Sequence, residues 1–124
     1  MIKIVIIDDY EMVRRGLKWL ISRADDMEIV GVGKNGDEAL TLCQTHLPDV
    51  VLMDVEMPRL DGVSAAKIIR NQFASLPIIL LGNFFEDIKT DDILLAGANA
   101  HLLKEGEGHE ILQTIRDLVR LNDC

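Results

Sequence analysis

Val50-Val51-Leu52-Met53-Asp54-Val55-Glu56-Met57-Pro58-Arg59-Leu60-Asp61-Gly62 is the stretch on which the reading of this chain turns. Val50 to Met53 is an apolar, largely β-branched run with turn formers on both sides, Pro48-Asp49 before it and Met57-Pro58 after it. That pattern predicts a strand buried on both faces, as in a parallel sheet. The run ends on a carboxylate. Asp54 is thereby placed where a buried strand opens into a loop, the edge at which open α/β sheets bind their ligands. The plainer alternative is that Asp54 only caps the turn containing Pro58, Asp61 and Gly62.

Working outward, Ile2 to Ile7 is a similar run that stops at Asp8-Asp9 and predicts a first buried strand. Met12, Val13, Leu17, Leu20 and Ile21 then recur at helical spacing, between Arg14, Arg15 and Lys18. Met27 to Val32 predicts an edge-like second strand. A helix follows, carrying Ala39, Leu40, Leu42 and Cys43 and ending near His46-Leu47-Pro48. Beyond Asp61-Gly62 a third helix carries Val63, Ala66, Ile68 and Ile69, and Ile78 to Leu81 predicts strand four. A weaker helix spans 86–96, with Gly97 as its C-terminal cap, and Ala98 to Leu103 predicts strand five. Ile111, Leu112, Ile115, Leu118 and Val119 form the clearest amphipathic stripe and predict a fifth, closing helix.

Strict alternation of apolar strands and helices with short connections implies a parallel sheet with helices on both faces. The expectation is a flavodoxin-like, doubly wound, five-stranded α/β sheet of order 2-1-3-4-5, a single domain over residues 1–124. That order sets strands one and three side by side, with a crevice between their carboxyl ends.

Composition narrows the function. The chain has 124 residues, 48% hydrophobic and 27% charged, and its 13 basic and 21 acidic residues give a net charge of −8. Such a balance argues against nucleic-acid or anionic-membrane binding by this domain itself and favours proteins or cations as partners. Cys43 and Cys124 form neither a disulfide framework nor a CxxC metal pair, which fits a reducing cytoplasm. The opening apolar run is too short for a secretory segment, and no run reaches the length of a membrane span.

The predicted topology brings Asp8, Asp9 and Asp54 together. Three carboxylates in one crevice repel one another unless they share a cation, and an all-oxygen cluster suits Mg²⁺. Lys104, at the end of strand five, can reach across strand four toward Asp54. A carboxylate nucleophile, a divalent metal and a lysine are the parts needed to accept a phosphoryl group.

With these residues in place, the chain resembles a receiver domain of a two-component response regulator. The resemblance is carried by Ile7-Asp8-Asp9, Leu52-Met53-Asp54, Met57-Pro58, Asp61-Gly62, Gly97-Ala98 and Leu103-Lys104, and it covers essentially the whole chain. Lys104-Glu105 and the Gly-Ala-x-x-x-Leu-Leu-Lys pattern are similar to the NarL/LuxR type, which usually carries a helix-turn-helix DNA-binding domain after the receiver. The resemblance implies a phosphoacceptor at Asp54 and Mg²⁺ held by Asp9, Asp54 and the backbone carbonyl of Glu56. It also implies Asp8 acting through a metal-bound water, Lys104 on the phosphoryl group, and a sensor histidine kinase as donor. Signalling would then pass to a DNA-binding domain or a protein partner, and DNA would be met only through that separate domain. The implied dimer surfaces are the first and fifth helices, or the fourth helix with strand five. The domain is expected to act as a switch with self-phosphorylating and self-dephosphorylating chemistry, without being a metabolic enzyme.

Two switch positions depart from the family. Gly82 stands where the family has a Ser or Thr at the end of strand four, and His101 where it has an aromatic residue on strand five. Asn83 could supply an amide in place of the hydroxyl, while Phe84 and Phe85 look equally like anchors for a partner. The phosphorylation apparatus is therefore expected intact, and the switch weakened or rebuilt.

Two rival readings exist. Gly31-x-Gly33-x-x-Gly36 matches a dinucleotide fingerprint, but Asp37 and Glu38 would repel a pyrophosphate there, and Asp8, Asp9 and Lys104 would be left unexplained. The other rival is a pseudo-receiver, an interaction module that takes no phosphate. His46 and His109 read as surface residues, His101 as partner-facing and Cys43 as core; Trp19, off the main stripe of its helix, reads as covering the sheet edge, with part exposure at a partner or dimer surface as the alternative.

Overall fold

The computed structural model describes residues 1–57, 59–82, 96–104 and 106–122. The helix expected over 86–96, apart from Ala96, lies outside the described residues, as do Pro58, Asn83, Phe84, Phe85, Glu105 and Cys124.

Strands β1 (Ile2–Ile7), β2 (Met27–Gly33), β3 (Val50–Asp54), β4 (Ile78–Gly82) and β5 (Ala100–Leu103) form one parallel sheet in the order β2-β1-β3-β4-β5. Helices α1 (Glu11–Ser22), α2 (Ala39–His46), α3 (Gly62–Gln72) and α4 (Gly108–Asn122) are described alongside it. The order, the direction and the flavodoxin-like winding agree with the sequence reading. β3 and β4 are buried at every position. They lie inside the sheet with helices on both faces, which is why they carry no polar alternation.

Alternate strand residues feed two cores. Val5, Ile7, Val51, Met53, Ile78 and Leu80 pack with Ala39 and Cys43 of α2 and with Ala65, Ala66 and Ile69 of α3. Ile4, Ile6, Val50, Leu52, Ile79 and Leu81 pack with Leu17 and Ile21 of α1 and with Ile111 and Ile115 of α4. Truncating one of these fully buried aliphatic side chains to alanine costs about 2–5 kcal/mol. The bidentate contact of Arg116 with Asp26, at 2.9 and 3.0 Å, ties α4 to the start of β2.

Two stripe assignments need correction. Met12 is 80% exposed, because on a helix it lies about 100° from the arc shared by Val13, Leu17, Leu20 and Ile21. Ile68 is likewise exposed, and Ala65 takes the inward position on α3. Cys43 is core, as the sequence suggested, whereas Trp19 is exposed, against the expectation that it covers the sheet edge. No helix among the described residues is long and apolar enough to cross a membrane.

Candidate functional site

β1 and β3 are paired in register, Ile7 beside Met53, so the residues that follow them emerge together at the carboxyl edge of the sheet. Asp8 and Asp54 are both buried there, and Asp9 lies nearer solvent. One ligand atom from each of the three carboxylates falls within 4.8 Å of the other two. The Nζ of Lys104 stands 3.1 Å from Asp8 Oδ2 and 3.0 Å from Asp54 Oδ2, and its side chain is only 5% exposed. The other oxygens are held by backbone: Asp8 Oδ1 accepts from the Tyr10 N–H at 2.9 Å, and Asp54 Oδ1 from the Glu56 N–H at 3.2 Å.

This arrangement sets the protonation of the site. Burial pushes the Asp54 carboxyl up to about 7, and the charge of Asp8 adds to that, while Lys104 opposes it. Burial works to lower the pKa of Lys104, but its hydrogen bonds to Asp54 and Asp8 outweigh burial and carry it upward. The ammonium therefore stays charged and serves as the counter-ion of two acids. One lysine cannot neutralise three carboxylates, and Asp9 Oδ1 is buried with no hydrogen-bond partner among the described residues. A pocket of converging, under-satisfied carboxylate oxygens is the donor set a hard divalent cation takes.

The local chain explains how Asp54 is left available. Asp61, and not Asp54, caps the following helix: its carboxylate accepts from the Ser64 N–H at 2.8 Å and from the Ser64 hydroxyl at 3.0 Å. A Cβ on Gly62 would run into the Asp54 carbonyl oxygen, so glycine lets α3 start directly against the acid-bearing strand. The Gly62 N–H donates to the Val55 carbonyl at 2.7 Å. On the other side, the Val55 N–H donates to Leu81 and the Lys104 N–H to Gly82, fixing both strand ends to the head of β4.

The sequence reading missed several contributors. Arg14 donates to the Asp8 carbonyl oxygen at 2.8 Å, and the Tyr10 ring covers Lys104, with its centroid 5.0 Å from Nζ. Arg70 donates to the carbonyls of Phe73, Ala74 and Gly97 and to Asn99 Oδ1, joining the end of α3 to the segment entering β5. A polar residue within an amphipathic helix pattern gives no sign of such a role. The capping of α3 by Asp61, by contrast, could be read from an Asp placed just before a helical pattern.

At the switch positions, Gly82 and His101 meet. The imidazole Nε2 lies 2.9 Å from where a Cβ on Gly82 would stand, and burial lowers the pKa of this histidine. His101, expected to face a partner, is half-buried against β4, where glycine leaves room for the ring. Asn83 lies outside the described residues. His46 is also half-buried, its ring packed over Gly31, whereas His109 is exposed beside Glu107. The Gly31-x-Gly33-x-x-Gly36 pattern has a packing cause: Leu42 and His46 lie over Gly31, Leu42 and Glu38 over Gly33, and the Leu60 backbone over Gly36. Glu38 accepts from the Lys34 N–H, so the turn is filled by the chain's own acid.

A groove of about 370 Å³ runs between α1 and α4, lined by Met12, Gly16, Trp19, Leu20 and Ile111, and reaches Lys104.

A model of response regulator receiver domains matches residues 4–116. The chain is 41% identical over 112 residues to the uncharacterised transcriptional regulatory protein YhcZ of Bacillus subtilis, covering 90% of this chain and 52% of that protein. It is 39% identical over 116 residues to the transcriptional regulatory protein LiaR of the same organism, covering 94% and 55%. The chain thus spans about half the length of these curated relatives. Among solved structures, the response regulator domain of Thermotoga maritima CheB superposes with a TM-score of 0.88 at 30% identity, covering 97% of each chain. A DNA-binding response regulator of the LuxR family from Staphylococcus aureus gives 0.88 at 27% identity, covering 96% of this chain and 99% of that one.

Proposed function

Because this chain belongs to the response regulator receiver domain family, we propose that it accepts a phosphoryl group on Asp54 from a phosphohistidine of a sensor kinase. The observation that carries this reading is the single crevice in which Asp8, Asp9 and Asp54 converge, with Lys104 bridging two of them.

In the transfer, an Asp54 oxygen forms a bond to phosphorus as the bond from phosphorus to the donor imidazole nitrogen breaks. Asp54 must be ionised to attack, and Lys104, already 3.0 Å away, would turn one N–H to the incoming phosphoryl oxygens. Asp9, Asp54 and the carbonyl of Glu56 would hold Mg²⁺, with Asp8 acting through one of its waters. When bound, the ion would neutralise charge on the transferring group. Backbone hydrogen bonds from Val55 and Lys104 to β4 keep acceptor and lysine in fixed relation during the step.

The signal then passes to a protein partner or to a DNA-binding domain in the same protein, as the names of the relatives suggest. The charge of −8 leaves contact with DNA to such a separate domain. Residues 1–124 serve as one receiver unit of the cytoplasm, and as a switch without a metabolic reaction of its own. Exposed Met12 and Trp19 beside the groove between α1 and α4 support that face, over β5 and its neighbouring segment, as the place where two copies meet.

Borohydride reduction after incubation with acetyl phosphate and Mg²⁺ converts an aspartyl phosphate to homoserine. Peptide mapping should find homoserine at position 54; homoserine at another position only would contradict the assignment. The Gly82 and His101 pairing favours one second reading, a receiver fold used as a phosphorylation-independent interaction module, and the complete absence of homoserine would support it.

A further inference from the structure

Lys104 is the cation on which the site depends, and three groups surround it. Asp8 and Asp54 lie within 3.1 Å of its nitrogen, and the ring of Tyr10 lies at 5.0 Å. Tyr10 is held in that place from both sides. Its N–H donates to Asp8 Oδ1, and its carbonyl accepts from the Arg14 N–H in the first turn of α1. Tyr10 is 58% exposed as a residue, while the lysine side chain beside its ring is almost wholly buried. It is a cover with one face to solvent and the other to the ammonium.

We propose that Tyr10 is a positioning residue for Lys104, and that its ring prolongs the life of the phosphoryl group on Asp54 by holding the ammonium in place and keeping water from it. The inference rests on the function proposed above. An aromatic face attracts a cation without accepting a directed hydrogen bond. The ring therefore holds the ammonium while leaving its N–H groups free to turn from a carboxylate to a phosphoryl oxygen. A carboxylate or amide at position 10 would compete for those same donors.

Loss of the group is hydrolysis. A water oxygen bonds to phosphorus, the bond from phosphorus to the Asp54 oxygen breaks, and the carboxylate returns. Dihydrogen phosphate leaves carrying both water protons. An exposed, freely moving ammonium would admit solvent beside the phosphoryl group, and the aromatic cover limits it.

The experiment compares the unaltered protein with Tyr10→Ala and Tyr10→Phe, each phosphorylated with acetyl phosphate and Mg²⁺ and freed of donor. The phosphorylated fraction is then followed by intact mass, and thermal unfolding of each variant serves as a folding control. Tyr10→Ala should shorten the lifetime by about fivefold or more, and Tyr10→Phe should retain it within about twofold. Rescue by phenylalanine separates the aromatic face from the hydroxyl. Equal lifetimes in all three proteins, or a phenylalanine variant as short-lived as the alanine one, would overturn the inference alone. Failure of the unaltered protein to take up any phosphoryl group would overturn the reading beneath it.

Discussion

The Nε2 atom of His101 lies 2.9 Å from the point at which a Cβ on Gly82 would stand, so an imidazole on β5 occupies the room that any side chain at the head of β4 would need. The two positions compete for one space. Gly82 in turn accepts the Lys104 N–H, and its neighbour Leu81 accepts the Val55 N–H. The imidazole therefore rests on the peptide to which both the acceptor strand and the lysine are fastened.

The obstructing atom is the far end of a side chain that can rotate, so in Gly82→Ser the ring and not the strand should give way. Stability should change by less than about 1 kcal/mol. Burial holds the His101 pKa below its ordinary 6.5; expelled from its seat, the ring should titrate nearer that value. An NMR titration of the His101 ring reads this directly. Unchanged titration in the serine variant would show that the two residues do not share the space.

Protonation of Asp54 predicts how pH and Mg²⁺ interact. Its carboxyl is raised from 3.8 to about 7, so the folded protein binds this proton more tightly than the unfolded chain does. That stabilisation is full below the ordinary value and is lost as pH rises through about 7. The metal competes with the same proton. The rise in Tm on adding Mg²⁺ should therefore be larger at pH 8 than at pH 6. Asp9→Asn, by relieving repulsion in the cluster, should raise the metal-free Tm and abolish the response to Mg²⁺. An equal rise at both pH values would contradict the assignment.

Much of the fold and of the acidic crevice is legible in the sequence. The strands of the interior, Ile4 to Ile7 and Val50 to Met53, announce themselves because burial on both faces removes polar residues altogether. Once strands one and three are neighbours, Asp8, Asp9 and Asp54 have to meet, and Lys104 follows from the end of strand five. Side-chain seats were less legible. Met12 and Ile68 are apolar residues lying just outside a buried arc, a difference of one helical position. The contact of His101 with Gly82 and the cover of Tyr10 over Lys104 join residues far apart in the chain, and no local period encodes them.

Gly62 has no room for a side chain. A Cβ there meets the backbone of Asp54 and Val55, which cannot turn aside. Gly62→Ala should cost about 1–3 kcal/mol in urea unfolding. Gly16→Ala is the control: nothing lies within 4 Å of the added carbon in α1, and removing a helix-interior glycine should stabilise by about 1 kcal/mol. Similar behaviour of the two variants would contradict the close approach of α3 to the acceptor strand.

Arg70 should prove structural and not functional. Arg70→Ala leaves the Gly97 carbonyl and Asn99 without their guanidinium donor, at a cost of about 1–3 kcal/mol, and Arg70→Lys should recover only part, since one ammonium cannot reproduce a planar fork. Phosphoryl uptake by the folded fraction should be unchanged. A stable Arg70→Ala variant with impaired uptake would assign Arg70 to the site instead.

The most direct test of the central claim is intact mass after incubation with acetyl phosphate and Mg²⁺, beside Asp54→Ala and a sample without metal. The unaltered protein with Mg²⁺ should gain one phosphoryl group, and neither control should gain any. No gain in the unaltered protein, or an equal gain in Asp54→Ala, would contradict that claim.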